Sequence, residues 1–306
     1  MPASTCIVAA PGGHGICSME SALRSIKKSI LPSPLPVTGL QEVSFLNPSR
    51  RNGFFVYLTL FILTFLFGCA PLVPYPPSVP FSRKETAQLI DRLKTQEEEI
   101  ASFQGLGKLR FKDGEQESET NLLAVGSRPL RVRVEISHAW GRPLFFVVAD
   151  NKHAQAVSFV EKKVFRGEWD RLPEGPFHVL TLDLDSLWIV LSGSVPILPH
   201  ARAASLKEHE IRLFDAEEDV REIISFSPDS RLPRSVYFPD KGITIIFSDY
   251  ERCDLGPKPS RIMIMSEMHN QSAEIRYKHL RINRAVPEEV FRLAPPPGFE
   301  IVDLNP

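Results

Sequence analysis

Cysteine is scarce in this 306-residue chain, and the four present, Cys6, Cys17, Cys69 and Cys253, show no CxxC pairing. That excludes a disulfide framework and a structural zinc site, which need cysteines in number or at close spacing. An excess of one charge is also missing, since Lys+Arg total 36 against 37 for Asp+Glu. Without a basic face the chain lacks the electrostatic footprint of a nucleic-acid binder, so no nucleic-acid partner is expected. Phosphate-binding glycine loops and the GxSxG elbow do not occur; Gly105-Leu106-Gly107 and Ser192-Gly193-Ser194 read as a strand start and a helix end. The eight histidines form no HExxH or HxH pair, so neither metal nor cofactor is expected. Asp183 and Asp185 lack the glycine and glutamate of a calcium loop and read as helix-capping acids. No motif sets a base beside Cys253, and the chain is read as a non-enzyme. What it does have is apolar content, 43% hydrophobic against 24% charged, which supports a sizeable core and excludes disorder throughout.

No hydrophobic run reaches the ~20 residues that a spanning helix needs. The longest informative one, Phe54 to Phe67, is broken only by Thr59 and Thr64, follows Arg50-Arg51 and ends at Gly68-Cys69. Charge, then a short apolar core, then small residues is the order of a secretory signal, with a transmembrane anchor or a buried core helix as the alternatives. Residues 1–45 fit no signal peptide and carry no sustained periodicity. They read as an over-extended start or a leader of unknown use, and residues 1–68 together as leader and signal. Residues 71–81, PLVPYPPSVPF, can form neither helix nor paired strand, which makes 69–82 a proline-rich tether.

Ser82 followed by Glu85 is a capping-box signature, and Ala87, Ile90, Leu93, Ile100 and Phe103 recur near helical spacing, predicting one amphipathic helix over 83–103. The rhythm then alternates, as in LRVRVEI at 130–136, where Leu130, Val132, Val134 and Ile136 share one face. Similar runs at 105–111, 118–125, 143–149, 155–160, 178–182, 209–214, 220–226, 234–238, 243–248, 260–267 and 272–282 predict a meander of half-buried antiparallel strands. Asp113-Gly114, Glu174-Gly175 and Lys241-Gly242 supply turns. Twist curls so long a sheet toward a half-barrel with a concave apolar face. One helix interrupts the strands, Leu182 to Gly193, with Leu184, Leu187, Trp188 and Leu191 on a shared face and Gly193 as its stop. The expected class is mainly β with α, a curled antiparallel sheet or incomplete β-barrel covered by helices. It would occupy 83–285, with 286–306 as a C-terminal tail.

Leu66-Phe67-Gly68-Cys69 resembles the lipobox of bacterial lipoproteins, with Phe67 larger than is usual there. The resemblance implies acylation of Cys69 and removal of the signal before it. Ala70 is similar to the non-acidic residue of lipoproteins sorted to the outer membrane, which implies a lipid-anchored domain facing the periplasm. Two or three buried chains, at ~0.8 kcal/mol per methylene, make a lasting anchor.

Lipobox, tether, amphipathic helix and antiparallel meander together resemble the LolB family of outer-membrane lipoprotein receptors. Leu182 to Pro196, LDLDSLWIVLSGSVP, is similar to the family helix L-P-x-x-S-L-x-x-W-x-x-G-x-P, although Asp183 replaces the proline and Ser194-Val195 separate Gly193 from Pro196. Ser137 to Leu144, SHAWGRPL, is similar to the family's protruding GPLGxGxL loop, with Trp140 and Gly141 at the exposed leucine and glycine. The likeness spans about residues 83–240. It implies an apolar cavity for acyl chains, here bounded by Leu130, Val132, Val134, Leu184, Leu187, Trp188 and Leu191. It also implies a membrane-contacting loop at Trp140 and Gly141. The implied partners are lipoprotein acyl chains, a LolA-like periplasmic carrier and outer-membrane lipid. By residue pattern alone the helix and strand positions serve equally as cavity wall or plain core, and Trp140 as tip or packed strand end. A structural or envelope-assembly lipoprotein on the same fold is the alternative function; a hydrolase would need a motif the chain lacks.

Overall fold

A computed structural model describes residues 79–172, 182–253 and 255–304. Cys69, the signal and most of the tether lie outside the described residues, as do the Glu174-Gly175 turn and nearly all of the strand expected at 178–182.

Helix α1, Arg83–Glu98, opens on the capping box read from the sequence. Ser82 Oγ accepts the Glu85 N–H at 3.3 Å, and Glu85 Oε2 accepts the Ser82 N–H at 3.0 Å. It ends five residues before the expected boundary. Ile100 and Phe103 are fully buried but belong to the turn and to the next strand, where a spacing of three happens to keep the helical rhythm. The helix buries Leu89, Ile90 and Leu93.

Fourteen strands among the described residues form one sheet. Six run in order: β1 Ser102–Asp113, β2 Gln116–Ser127, β3 Arg131–Ser137, β4 Pro143–Asp150, β5 Ala154–Ser158 and β6 Lys163–Gly167. Helix α2, Leu184–Leu191, follows, and then β7 Arg202–Lys207, β8 Glu210–Phe214, β9 Val220–Phe226, β10 Pro233–Phe238, β11 Ile243–Cys253, β12 Gly256–Ser266, β13 Gln271–Ile282 and β14 Glu300–Asp303. The order across the sheet is β14-β6-β5-β4-β3-β2-β1-β13-β12-β11-β10-β9-β8-β7. The expected single meander is therefore two, joined where β1 pairs with β13 and Phe103 meets Ile282. Edges β14 and β7 do not pair, so the curled sheet stays an incomplete barrel, mainly β with two helices.

Strands β6, β7 and β14 escape the periodicity reading. They are short, and KVFRG, RAASLK and EIVD carry no clean alternation. β14 also turns the expected tail into structure by pairing parallel to β6, with Val302 opposite Phe165.

Alternation sorts the strands into two faces. Val132 and Val134 on β3, Ile224 on β9, Ile245 on β11 and Ile262 on β12 join the helices in one core. On the other face of β3 stands Arg133, only 3% exposed because residues 284–293 cross over it. Its Nη1 donates to Val290 O at 2.7 Å, and Gln155 Nε2 on β5 donates to Leu293 O at 3.0 Å. The C-terminal segment is thus a strap across β3 to β6, ending as an added edge strand.

Candidate functional site

Helix α2 occupies the middle of the apolar face. Asp183 is its N-cap, accepting the Ser186 N–H at 2.8 Å, as the sequence predicts for a capping acid. Its far end closes in a Schellman pattern, with Ser194 N donating to Ile189 O and Gly193 N to Val190 O, both at 3.0 Å. Gly193 holds φ +75°, which a side chain would strain. Pattern reading assigned α2 one apolar face, yet Ile189 and Val190 are buried along with Leu184, Leu187, Trp188 and Leu191, so apolar residues wrap most of the helix and Asp185 alone is exposed.

Leu187 and Trp188 are fully buried, and they share one core with Val132 and Val134 while Leu130 packs at its margin. The Trp188 ring meets Phe103 edge-on, with centroids 5.4 Å apart. Gly126 on β2 is what lets both rings in. A β-carbon there would lie 2.2 Å from Phe103 Cε1 and 2.7 Å from Trp188 Nε1. That nitrogen is itself buried without a hydrogen-bond partner, at a cost of about 1–3 kcal/mol. The seven residues predicted to bound an acyl cavity are thus brought together, in close packing with one another and with the sheet.

Hydrogen bonds hold α2 at both ends. Trp169 Nε1 donates to Leu182 O at 3.2 Å, and Tyr277 Oη donates to Leu191 O at 2.8 Å. Burial holds the Tyr277 phenol neutral by raising its pKa. Near the same end, Lys258 Nζ donates to Ser194 Oγ at 2.8 Å. Burial lowers this ammonium to about 8, against the pull of Cys253, Glu97 and Glu99.

Arg128, in the turn after β2, ties the two helices together. Its guanidinium lies 4.1 Å above the Trp188 ring, donates to Asp185 Oδ1 of α2 at 3.2 Å and contacts Glu97 of α1. Burial raises the Glu97 carboxyl despite that arginine. Sequence reading passed over Arg128 and Gly126. A glycine inside a β-run, which marks close approach, was the available signal for Gly126; Arg128 offered none, because its partners lie on distant helices.

Trp140 and Gly141 lie apart from this core, at the tip of the β3–β4 hairpin. Roughly 17 Å of strand separates Val132 from Ser137, where the hairpin begins. His138 N donates to Arg142 O at 2.9 Å and Gly141 N to His138 O at 2.8 Å, closing the turn. Trp140 is 79% exposed and stacks on His138, with ring centroids 5.1 Å apart. An exposed indole and an exposed Arg142 therefore share the tip with the half-buried His138 imidazole.

No known family model and no curated protein matches the chain. Similar solved structures include a candidate outer membrane lipoprotein-sorting domain of Vibrio parahaemolyticus, at 11% identity over 68% of this chain and 96% of that one, with a TM-score of 0.47. A LolA superfamily protein of Nitrosomonas europaea aligns at 12% identity over 68% and 97%, with a TM-score of 0.47. A DUF1329 family protein of Desulfovibrio piger aligns at 10% over 68% and 96%, with a TM-score of 0.46. The likeness is in chain course, and no site residue is carried over from it.

Proposed function

We propose that this chain is a LolB-like outer-membrane lipoprotein receptor. Anchored through Cys69 on the periplasmic face, it takes the acyl chains of incoming lipoproteins from a LolA-like carrier into an apolar space opened between the sheet and α2, and passes them into the membrane. The transfer runs down a gradient of apolar affinity, so it needs no covalent step, metal or cofactor. The supporting observation is Trp140, an indole 79% exposed on a hairpin tip, where a folded domain gains nothing from leaving it. Tryptophan is favoured at the membrane–water interface, its ring among the lipids and its N–H in the headgroup layer, and Arg142 beside it suits anionic lipid. Receiving a chain requires α2 to move off the sheet, and Arg128 is the contact joining α2 to α1 that must open.

The close packing of Leu187, Trp188 and Leu191 favours a second reading, a structural or envelope-assembly lipoprotein that uses the same fold without moving cargo. Transfer separates the two. Full chain reconstituted into vesicles is mixed with an acylated lipoprotein loaded on its cognate carrier, and cargo reaching the vesicles is measured by flotation. The receptor reading expects transfer by the natural chain and loss of most of it in Trp140→Glu. No transfer moves the conclusion to the second reading; unchanged transfer in the variant removes the tip from the mechanism.

A further inference from the structure

On the sheet face opposite the helices, where the strap crosses β3 to β6, lies a cavity of about 390 Å³. Arg131 enters it from β3, Arg166 from β6 and Arg292 from the strap. Two carboxylates share the lining, and both are engaged. Asp150 Oδ1 accepts the backbone N–H groups of Lys152 at 2.8 Å and His153 at 2.9 Å, with His153 Nδ1 3.8 Å away, while Glu288 pairs with Arg131 at 3.5 Å. Among the described residues neither Arg166 nor Arg292 meets a carboxylate. One more donor in the lining is left over: Arg131 Nε is buried with no hydrogen-bond partner, while Nη1 of the same guanidinium holds Glu288 and its Cζ lies 4.9 Å from the Phe291 ring centroid. The unused capacity of this cavity is therefore cationic and donating.

We infer that the cavity binds the phosphoryl group of a phosphate ester. Guanidinium forks match carboxylate and phosphate alike. Arginines that line one cavity from a strand, a second strand and a strap are best met by oxygens pointing in several directions, which a phosphoryl group has and a planar carboxylate does not. The space also exceeds what inorganic phosphate fills and falls in the range of small-ligand sites, about 300–1,000 Å³. The Phe291, Val148 and Leu293 side chains in the lining offer an apolar wall for the rest of the ligand. Such an ester is either a soluble metabolite or a phospholipid headgroup. The inference does not rest on the receptor reading, since it uses the other face of the sheet.

The test uses full chain in two settings. In phosphate-free detergent, glycerol 3-phosphate and sodium phosphate are titrated by calorimetry; in phosphatidylcholine nanodiscs containing phosphatidic acid, the phosphatidic acid resonance is followed by phosphorus NMR. Each is repeated on the double variant Arg166→Gln, Arg292→Gln, whose unchanged thermal midpoint shows that it folds, because both side chains are exposed. Binding of glycerol 3-phosphate that weakens at least about tenfold in the variant supports a soluble ester. Binding of phosphatidic acid alone, equally sensitive to the variant, supports a lipid headgroup. Absence of binding in both settings, or binding indifferent to the double variant, overturns the inference. Inorganic phosphate binding as tightly as the ester overturns the ester assignment.

Discussion

Glu222 stands in the apolar row of β9 with Ile224 and Phe226, its Oε2 accepting the Leu198 N–H at 2.8 Å and its Oε1 buried without a partner. Burial pushes the carboxyl up to about 8, only partly offset by that N–H. The folded pKa lies above the unfolded value near 4.5, so the group's contribution to stability is full below the unfolded value and is lost as pH rises through about 8. Glu222→Gln removes the titration while keeping an acceptor for Leu198. The expected outcome is a flatter dependence of the thermal midpoint between pH 5 and 8, at about 2–4 °C per kcal/mol of titration removed. The slope is the readout, since the amide shifts all points alike. Lys258 does not confuse it, because its folded value of about 8 lies below the unfolded 10.5, so its contribution is lost as pH falls from the unfolded value through about 8 and is flat below. An identical slope in the variant would mean that Glu222 stays ionised in the fold. This residue was legible in the sequence, as a charge in the wrong register of an alternating run. The orphaned Trp188 Nε1 was not, because periodicity reports which face a ring is on and nothing about what its nitrogen meets.

At the scale of elements, what could be read was local chemistry. Both helix starts follow from side chains within three residues of the backbone they cap, Ser82 with Glu85 and Asp183 with Ser186. The end of α1 depends on tertiary packing, since Ile100 is buried by the sheet and the helix repeat cannot tell that from continuation. The short strand β14 exists because β6, itself paired with β5, supplies its ladder, a pairing across more than a hundred residues that no local window contains. Because the Asp183 cap is local, its effect can be isolated. Asp183→Ala is expected to cost about 1 kcal/mol in urea unfolding, and Asp183→Asn, which also caps, much less. The 3.7 Å pairing of Asp183 with Lys241 adds little, being largely exposed, so equal losses in the two variants would assign the stabilisation to charge rather than to the cap.

For the whole molecule, the strap decides whether the sheet has one buried face or two. Val157 and Val164 pair across β5 and β6 and are fully buried, although they share a face with Gln155 and Arg166, away from the helices. Phe159, following β5, meets Phe146 and the strap's Phe299 at ring separations of 4.9 and 5.6 Å. Removing residues 286–306 would strip cover from this apolar strip, leave the β6 edge unpaired and take Val290 O and Arg292 O from the buried Arg133, which keeps Glu135 at 2.5 Å. Bare edges recruit strands and uncovered apolar faces associate. The truncated chain is therefore expected to melt several degrees lower, bind a hydrophobic dye and form larger species in sizing chromatography. Replacing the buried pair as a whole in the full chain, Arg133→Met with Glu135→Leu, should do far less harm, since exchanging both partners of a buried ion pair for apolar residues leaves no unpaired charge and often costs little while the strap stays in place. If the truncation instead melts at the natural temperature as a monomer, the strap is dispensable to the sheet. Its remaining role would then be the arginine-lined cavity beneath it, at the opposite end of β3 from the Trp140 hairpin.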